Sequence, residues 1–552
     1  MIDTLITGGR VIDGTGNPWF FGDVALSGDR IAKIAPQGTI DPASATTVID
    51  ATGHVVAPGF IDIQSHSIVP LLLDPRSLSK VTQGVTTEIM GELWTPAPVG
   101  GEITDPLNGT LLYRLPDDAQ QEWMATARTW TRFGDWLAEI ERRKVGVNIG
   151  SFLGGGTLRE YACGMRMGDA SDDELAVMRR VVADAMEDGA FGVATALIYP
   201  PNVYSTTAEL IACMEIVAQY HGIHITHMRS EADFIFDGLA ETLEIAEKTG
   251  VITEIYHLKA VGKANWEKMA RVIQTIDAAR TAGIDVAANM YPYDGSGTGL
   301  SACLPPWTAA DGKLFQNIAD PDARERILVE MREVDGSWEN RGANVGPENI
   351  IVADLRHPDN VAYRGWRLNA IAEALGVDWA EAVLILLDRE QHRISTMYLG
   401  MSMDNLKIQV QQPWIKISTD AGGLDPAVVA QDGPTHPRAY GTYTRVIGRF
   451  VRDYGWLTLE DAVRKCSSAV ADRLGLRDRG LLRDGLKADV IVFDPATVND
   501  VATYTDPHHL SVGIRDVFVN GTAVLRDSQH TGALPGERVF GPGYTGEKGP
   551  SA

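Results

Sequence analysis

Ile223-His224-Ile225-Thr226-His227-Met228-Arg229 and, after a helix-length interval, Ile252-Thr253-Glu254-Ile255-Tyr256-His257-Leu258-Lys259 set the reading of this chain. Each is a short run rich in β-branched residues, and each passes at its end from apolar side chains to imidazole and a cation. The same texture marks six further candidate strands, at residues 59–66, 85–92, 147–153, 191–198, 286–293 and 414–420. Segments between them are helical in pattern, for example Glu174-Leu175-Ala176-Val177-Met178-Arg179-Arg180-Val181-Val182. Eight strand–helix units predict a closed (β/α)8 barrel of the TIM type, an α/β fold, rather than an open sheet.

The two ends read differently. Thr4-Leu5-Ile6-Thr7-Gly8-Gly9-Arg10-Val11-Ile12 and Arg30-Ile31-Ala32-Lys33-Ile34 are short strands punctuated by Gly and Asp, as are Asp489-Val490-Ile491-Val492-Phe493 and the hairpin around Asn520-Gly521. We therefore expect residues 1–57 and 480–552 to form one small discontinuous β-sandwich domain, and 58–479 to form the barrel. Two gaps in the rhythm, near 100–145 and 303–410, are too long for simple loops and are expected to be helical insertions.

Composition narrows the function. A net charge of −24 over 552 residues argues against nucleic acid and anionic membrane as partners. No apolar run is long enough to span a bilayer, and the N-terminus does not read as a secretory signal. The four cysteines are dispersed, without the spacing of a disulfide framework or a C-x-x-C metal site, and a reducing cytoplasmic location is expected. Assembly into a homo-oligomer is left open.

Polar residues gather at the strand ends. The first candidate strand finishes Asp62-Ile63-Gln64-Ser65-His66, the second Gly91-Glu92, the fifth at His227, the sixth at His257 and Lys259, and the eighth Ser418-Thr419-Asp420. In a barrel these ends share one mouth. Imidazoles and carboxylates are the donors zinc takes in catalytic sites, and an aspartate beside them can accept a proton from an activated water. The other histidines, among them His54, His221, His224, His357, His392, His508, His509 and His530, lack such a partner pattern.

At these residues the sequence resembles the N-acyl-D-amino-acid deacylases of the amidohydrolase superfamily. The resemblance runs from Ala57-Pro58-Gly59-Phe60-Ile61-Asp62 through Gln83-Gly84-Val85-Thr86-Thr87, Gly156-Thr157-Leu158-Arg159, Ile225-Thr226-His227-Met228-Arg229, His257-Leu258-Lys259 and Met290-Tyr291-Pro292-Tyr293. It continues to Ser418-Thr419-Asp420, His436-Pro437-Arg438 and Leu486-Lys487-Ala488-Asp489-Val490-Ile491-Val492. It implies a divalent metal, zinc by preference, held most tightly by His227 and His257, with His66 and Asp420 also at the centre. It implies that Asp420 is the general base and acid, and that Lys259, Tyr199, Tyr293 and Arg438 grip a small substrate carrying an amide and a carboxylate. A guanidinium suits the second task because it binds a carboxylate through two hydrogen bonds.

The sequence departs from the family twice. The usual His-x-His of the first strand is Gln64-Ser65-His66, so a second metal position is expected to be weak or absent. The bridging Cys after Gly91 is missing, and Glu92 is its natural replacement. Trp94, Pro96 and Pro98 either line an acyl pocket or pack the mouth. Gly154-Gly155-Gly156 lacks the Gly-Lys-Ser/Thr of a phosphate loop and reads as backbone passing close to substrate, and Arg159 reads as a structural ion-pair partner. Hydrolysis of a linear amide, most simply an N-acyl-D-amino acid, is the first reading. A cyclic amide or imide hydrolase or a deaminase on the same barrel is the alternative, and a non-catalytic binding relative, motivated by Gln64, is the third.

Overall fold

A computed structural model describes residues 2–107, 111–333 and 338–546. The pieces 108–110 and 334–337 of the two expected insertions, the end at 547–552 and Met1 lie outside the described residues. Eight parallel strands follow one another around a ring: β1 (Phe60–Asp62), β2 (Val85–Met90), β3 (Asn148–Ser151, continued by Leu153–Gly154), β4 (Gly192–Ala196), β5 (Ile223–His227), β6 (Ile252–Ile255), β7 (Val286–Met290) and β8 (Ile415–Ile417). Each pairs in parallel with the next. The ring closes past the ends of β8 and β1, where the Asp420 N–H donates to Gln64 O at 2.9 Å and the His66 N–H to Ala421 O at 3.1 Å. The strands are short, buried and rich in Val, Ile and Ala, which is what a strand covered on both faces requires. The protein is thus a (β/α)8 barrel of the amidohydrolase type.

Local chemistry sets the helix boundaries. Helix Asp172–Glu187 starts at a capping box, with the Ser171 hydroxyl on the Glu174 N–H and the Glu174 carboxylate on the Ser171 N–H. Helix Ile235–Thr249 ends at Gly250, whose φ of 68° is the left-handed conformation that glycine adopts without strain.

Strands from both ends of the chain share one nine-stranded sheet. The N-terminal run Val55–Pro58 pairs antiparallel with Val490–Phe493, so the sheet continues from the first segment into the last. Its apolar core draws on Ile6, Val24 and Ile31 from one end and Val490, Val492 and Phe518 from the other. The segment after β7 carries helices Pro321–Arg332 and Trp379–Glu390 beside a three-stranded antiparallel sheet, Ser296–Gly299, Ile350–Val352 and Ser395–Tyr398, around a hydrophobic cluster of its own. The earlier insertion carries helices Asp117–Ala127 and Gly134–Arg143. No helix among the described residues is long and apolar enough to cross a membrane.

Candidate metal centre

The strand ends bring two clusters of donor atoms together at the mouth: His227, Glu231 and His257, and beside them His66, Glu92 and Asp420. Two of these residues hold backbone conformations that L-residues avoid, His257 at φ 33° and Asp420 at φ 51°. Such geometry costs about 1–3 kcal/mol each and persists only where the surroundings over-determine it. At His257 the backbone N–H donates to Asn289 Oδ1 at 2.8 Å, and Ser418 Oγ donates to the same oxygen at 2.9 Å, so β6, β7 and β8 are tied at one point. At Asp420 the restraint is ionic. Buried Lys80 donates to Asp62 at 2.6 Å, to Thr419 Oγ1 at 2.6 Å and to the Ala421 carbonyl at 2.7 Å, and Asp62 accepts the Thr419 N–H at 3.0 Å. Lys80 and Asp62 thereby fix the residues on either side of Asp420.

The inner cluster is sealed. The His227 and His257 rings stand 4.7 Å apart and nearly perpendicular. Burial disfavours charge on His227 and lowers its pKa to about 4. Its Nδ1 lies 3.0 Å from the Met228 carbonyl, an acceptor, so Nδ1 carries the hydrogen and Nε2 keeps its lone pair. On the far side of His257, Nδ1, Lys259 Nζ and Glu231 Oε1 form a triangle of 2.5 Å (Lys259–Glu231), 2.7 Å (Lys259–His257) and 3.1 Å (His257–Glu231). His257 Nε2 then faces Glu92 Oε1 at 3.4 Å. Glu231 also takes Arg341 at 3.2 Å and stands 3.3 Å from His227 Nε2.

The outer cluster faces the opening. His66 Nε2 is 2.9 Å from Asp420 Oδ1 and 3.4 Å from Glu92 Oε2. The partial desolvation of this imidazole by the mouth opposes a charge on it, but hydrogen bonds to Asp420 and Glu92 outweigh it and raise its pKa to about 9. A proton therefore stands between the carboxylates where a cation could stand. Gln64 directs its Nε2 hydrogens to Glu92 Oε2 at 2.6 Å, while its Oε1 accepts from Ser418 at 3.2 Å. Arg438 Nη1 lies 2.7 Å from Asp420 Oδ2, over the Tyr291 ring, and the buried Arg438 Nε has no hydrogen-bond partner.

Of the residues expected from sequence, His66, Glu92, His227, His257, Asp420 and Arg438 converge at the mouth, and Tyr199 joins them, its ring 5.5 Å from His227. Tyr293 does not. Its hydroxyl is buried against the Pro437 carbonyl at 3.4 Å and Asp500 at 3.5 Å, and Tyr291, two residues earlier, has its ring beside His257 instead. Lys259 sits behind the imidazoles, with its ammonium on Glu231 and His257. Arg159 ends on backbone carbonyls and beside Glu209. Sequence reading missed Glu231, Arg341 and Tyr291. The four-residue step from His227 to Glu231 was the available signal for the first.

Two buried imidazoles side by side, that of His227 neutral with its Nε2 lone pair free of a hydrogen, and carboxylates next to them are a donor set that zinc takes, so the residues present fit a divalent metal.

Residues 419–525 match the family model described as Amidohydrolase family. The chain is 32% identical over 527 residues to an N-acyl-D-glutamate deacylase of Alcaligenes xylosoxydans xylosoxydans, across 95% of this chain and 94% of the relative. It matches a solved D-aminoacylase at TM-score 0.79 and 29% identity, covering 98% of this chain and 100% of that one; the binuclear metal centre of that enzyme is described by one-metal activation and second-metal attenuation. A solved N-acyl-D-glutamate deacylase from Bordetella bronchiseptica, complexed with zinc and a phosphonate mimic of the tetrahedral intermediate, matches at TM-score 0.79 and 29% identity, covering 98% and 99%.

Proposed function

The chain belongs to the N-acyl-D-amino-acid deacylase family of amidohydrolases, and on that premise we propose how its own residues carry the hydrolysis of a linear amide. The protein is an enzyme of the hydrolase class. Its substrate on this reading is an N-acyl-D-amino acid, and the products are the free carboxylic acid and the D-amino acid.

His227, His257 and Glu92 would hold one metal tightly, and His66 with Asp420 would offer a weaker second position that Gln64 leaves incomplete. When bound, a divalent metal supplies Lewis acidity, polarising the amide carbonyl and easing ionisation of water. Asp420 takes the proton of the attacking water and passes it to the departing nitrogen, so one carboxylate serves as base and then as acid. Arg438 holds the substrate carboxylate. The observation that carries the reading is this guanidinium, buried beside Asp420 with its Nε unpartnered, at the same mouth as the imidazole pair. The substrate carboxylate would satisfy that donor through a charge-assisted hydrogen bond. Lys259 supports Glu231 and His257 and adds positive charge near the bound carboxylate. The four free, buried cysteines fit a reducing, cytoplasmic setting.

The test is a hydrolysis screen of N-acetyl-D- and N-acetyl-L-amino acids with zinc, cobalt or manganese added to metal-stripped protein, scored by release of free amine. Hydrolysis of D substrates in preference to L, restored by metal, supports the reading. Equal or better hydrolysis of cyclic imides would replace it with the ring-opening alternative.

A further inference from the structure

Beside the metal centre lies a cavity of about 720 Å³ that the mechanism above does not use. It opens between the loops that follow β4 and β5 and the segment that follows β7. Its volume is in the range of pockets that enclose most of a small organic molecule. Two contacts join it to the centre. Tyr199, on its wall, stacks edge-on against His227, and Arg341, also on its wall, reaches Glu231. These two side chains therefore border both the cavity and the inner cluster.

The character of the wall decides what such a substituent can be. Val203, Phe234, Leu304, Pro305, Leu314 and Trp338 make it largely apolar. Two arginines face it, and neither has a charge to spare. Arg229 forms a two-pronged pair with Glu241 at 2.8 and 2.9 Å and gives two further hydrogen bonds to the Val203 and Ser205 carbonyls, each at 2.9 Å. Arg341 is shared between Glu231 at 3.2 Å and Glu339 at 3.0 Å. The carboxylates Glu241 and Glu339 that pair with them are on the wall too, and so is Asp237, an exposed carboxylate with neither arginine as its partner, so acids outnumber cations there. An acidic side chain entering here would lose its water, meet no unpaired cation and face a like charge, which is strongly unfavourable. A neutral apolar group meets none of these penalties. Each methylene it buries improves binding about fourfold.

We propose that this cavity receives a bulky apolar substituent of the substrate, and that the enzyme selects such amides over those of D-glutamate or D-aspartate. This deepens the deacylase reading and rests on it. The chemistry of the wall is the same whether the substituent is the acyl chain or the amino-acid side chain, and the experiment separates the two.

The measurement is kcat/KM on two substrate series with the zinc-loaded full chain. One series varies the side chain: N-acetyl-D-alanine, -leucine, -phenylalanine and -glutamate. The other varies the acyl group: acetyl, hexanoyl and decanoyl D-alanine. Ala302→Trp, which places an indole in the cavity, is run alongside, with Ala309→Trp as the substitute if the first fails to fold. We expect at least a tenfold preference for bulky apolar over acidic substrates in at least one series. The tryptophan variant should abolish that preference while N-acetyl-D-alanine stays within threefold of wild type. The series whose preference collapses identifies which end of the substrate the cavity holds. Equal or better turnover of N-acetyl-D-glutamate than of N-acetyl-D-leucine, with no gain along the acyl series, overturns the proposal and leaves the deacylase reading intact. So does a variant that slows small and bulky substrates alike. If no member of either series is hydrolysed, the deacylase reading fails, and calorimetric titration with decanoyl-D-alanine decides the cavity by itself. Binding that Ala302→Trp removes upholds it, and absence of binding to the wild type refutes it.

Discussion

The inner and outer clusters at the barrel mouth use the same kinds of side chain and differ in what stands behind them. His227 and His257 have side chains only 3% exposed, while that of His66 is 43% exposed. The inner imidazoles each have a backing partner on the ring nitrogen turned away from the centre, the Met228 carbonyl for His227 and the Glu231–Lys259 pair for His257. Such outer partners fix ring orientation and strengthen metal binding. In the outer cluster the place of a second imidazole is taken by Gln64, which points hydrogens at Glu92. A group that presents N–H to the centre cannot ligate a cation there. The difference teaches that donor type does not by itself make a metal site; the orientation imposed from behind does.

The largest expected effect comes from the one outer residue assigned to the chemistry. Asp420→Asn preserves shape and removes the base. Loss of general acid–base catalysis costs about 10² to 10⁴ in rate. We expect kcat to fall at least about a hundredfold, with zinc content unchanged because the inner ligands are intact. Turnover within a few-fold of wild type would remove Asp420 from the mechanism, and joint loss of zinc and activity would make it chiefly a ligand. Lys80 and Asp62 fix Thr419 and Ala421 on either side, so the asparagine variant should keep the backbone of the mouth, while loss of the ion pair to buried Arg438 lowers its melting temperature.

Much of this was legible in the sequence, for a physical reason. Parallel strands buried on both faces must be apolar until they end, so the first polar residues mark the mouth, and His66, Glu92, His227, His257 and Asp420 could all be read there. The same logic fails beyond the strand. Glu231 lies in the loop after β5, where no periodicity constrains the direction of a side chain. The resemblance named Tyr293, but Tyr291 and Tyr293 lie past the end of β7, where the two-residue period of a strand no longer sets side-chain direction; in the fold the hydroxyl of Tyr293 goes to Asp500 in the C-terminal segment, a partner more than two hundred residues away. Arg341 and one side of the cavity wall arise from the insertion after β7, whose packing no strand pattern foretells.

A middle-sized effect tests the backing of the inner cluster. Glu231→Gln keeps the size of the side chain and removes the charge that His257, Lys259 and Arg341 share. Losing an outer partner of a ligating histidine costs about 10- to 100-fold in metal affinity. We expect zinc affinity, measured by competition with a chelator, to weaken by about that factor. Saturating zinc should restore most of kcat. A zinc affinity equal to wild type would mean that burial alone, and not Glu231, distinguishes the inner cluster.

The smallest effect on turnover should come from repairing the outer cluster. Gln64→His replaces an amide that donates to Glu92 with an imidazole that can offer a lone pair to the same space. Its neighbours already suit a metal: His66 Nε2 and Asp420 Oδ1 are 2.9 Å apart, and Glu92 Oε2 is 3.4 Å from His66. Ser418, which now donates to Gln64 Oε1 at 3.2 Å, retains its stronger bond to Asn289 at 2.9 Å, so the substitution costs the frame little. The variant should therefore retain close to two zinc equivalents through exhaustive dialysis where the wild type retains close to one. Its turnover should stay within about tenfold of wild type, because the inner ligands are untouched and a proton-transfer role alone accounts for no more than the factor assigned to Asp420. Two tightly held equivalents already in the wild type would erase the contrast between the clusters. A variant that still holds one would show that exposure of His66, rather than the amide at position 64, keeps the outer position weak, and adding Asp420→Asn to it would then leave its metal content unchanged.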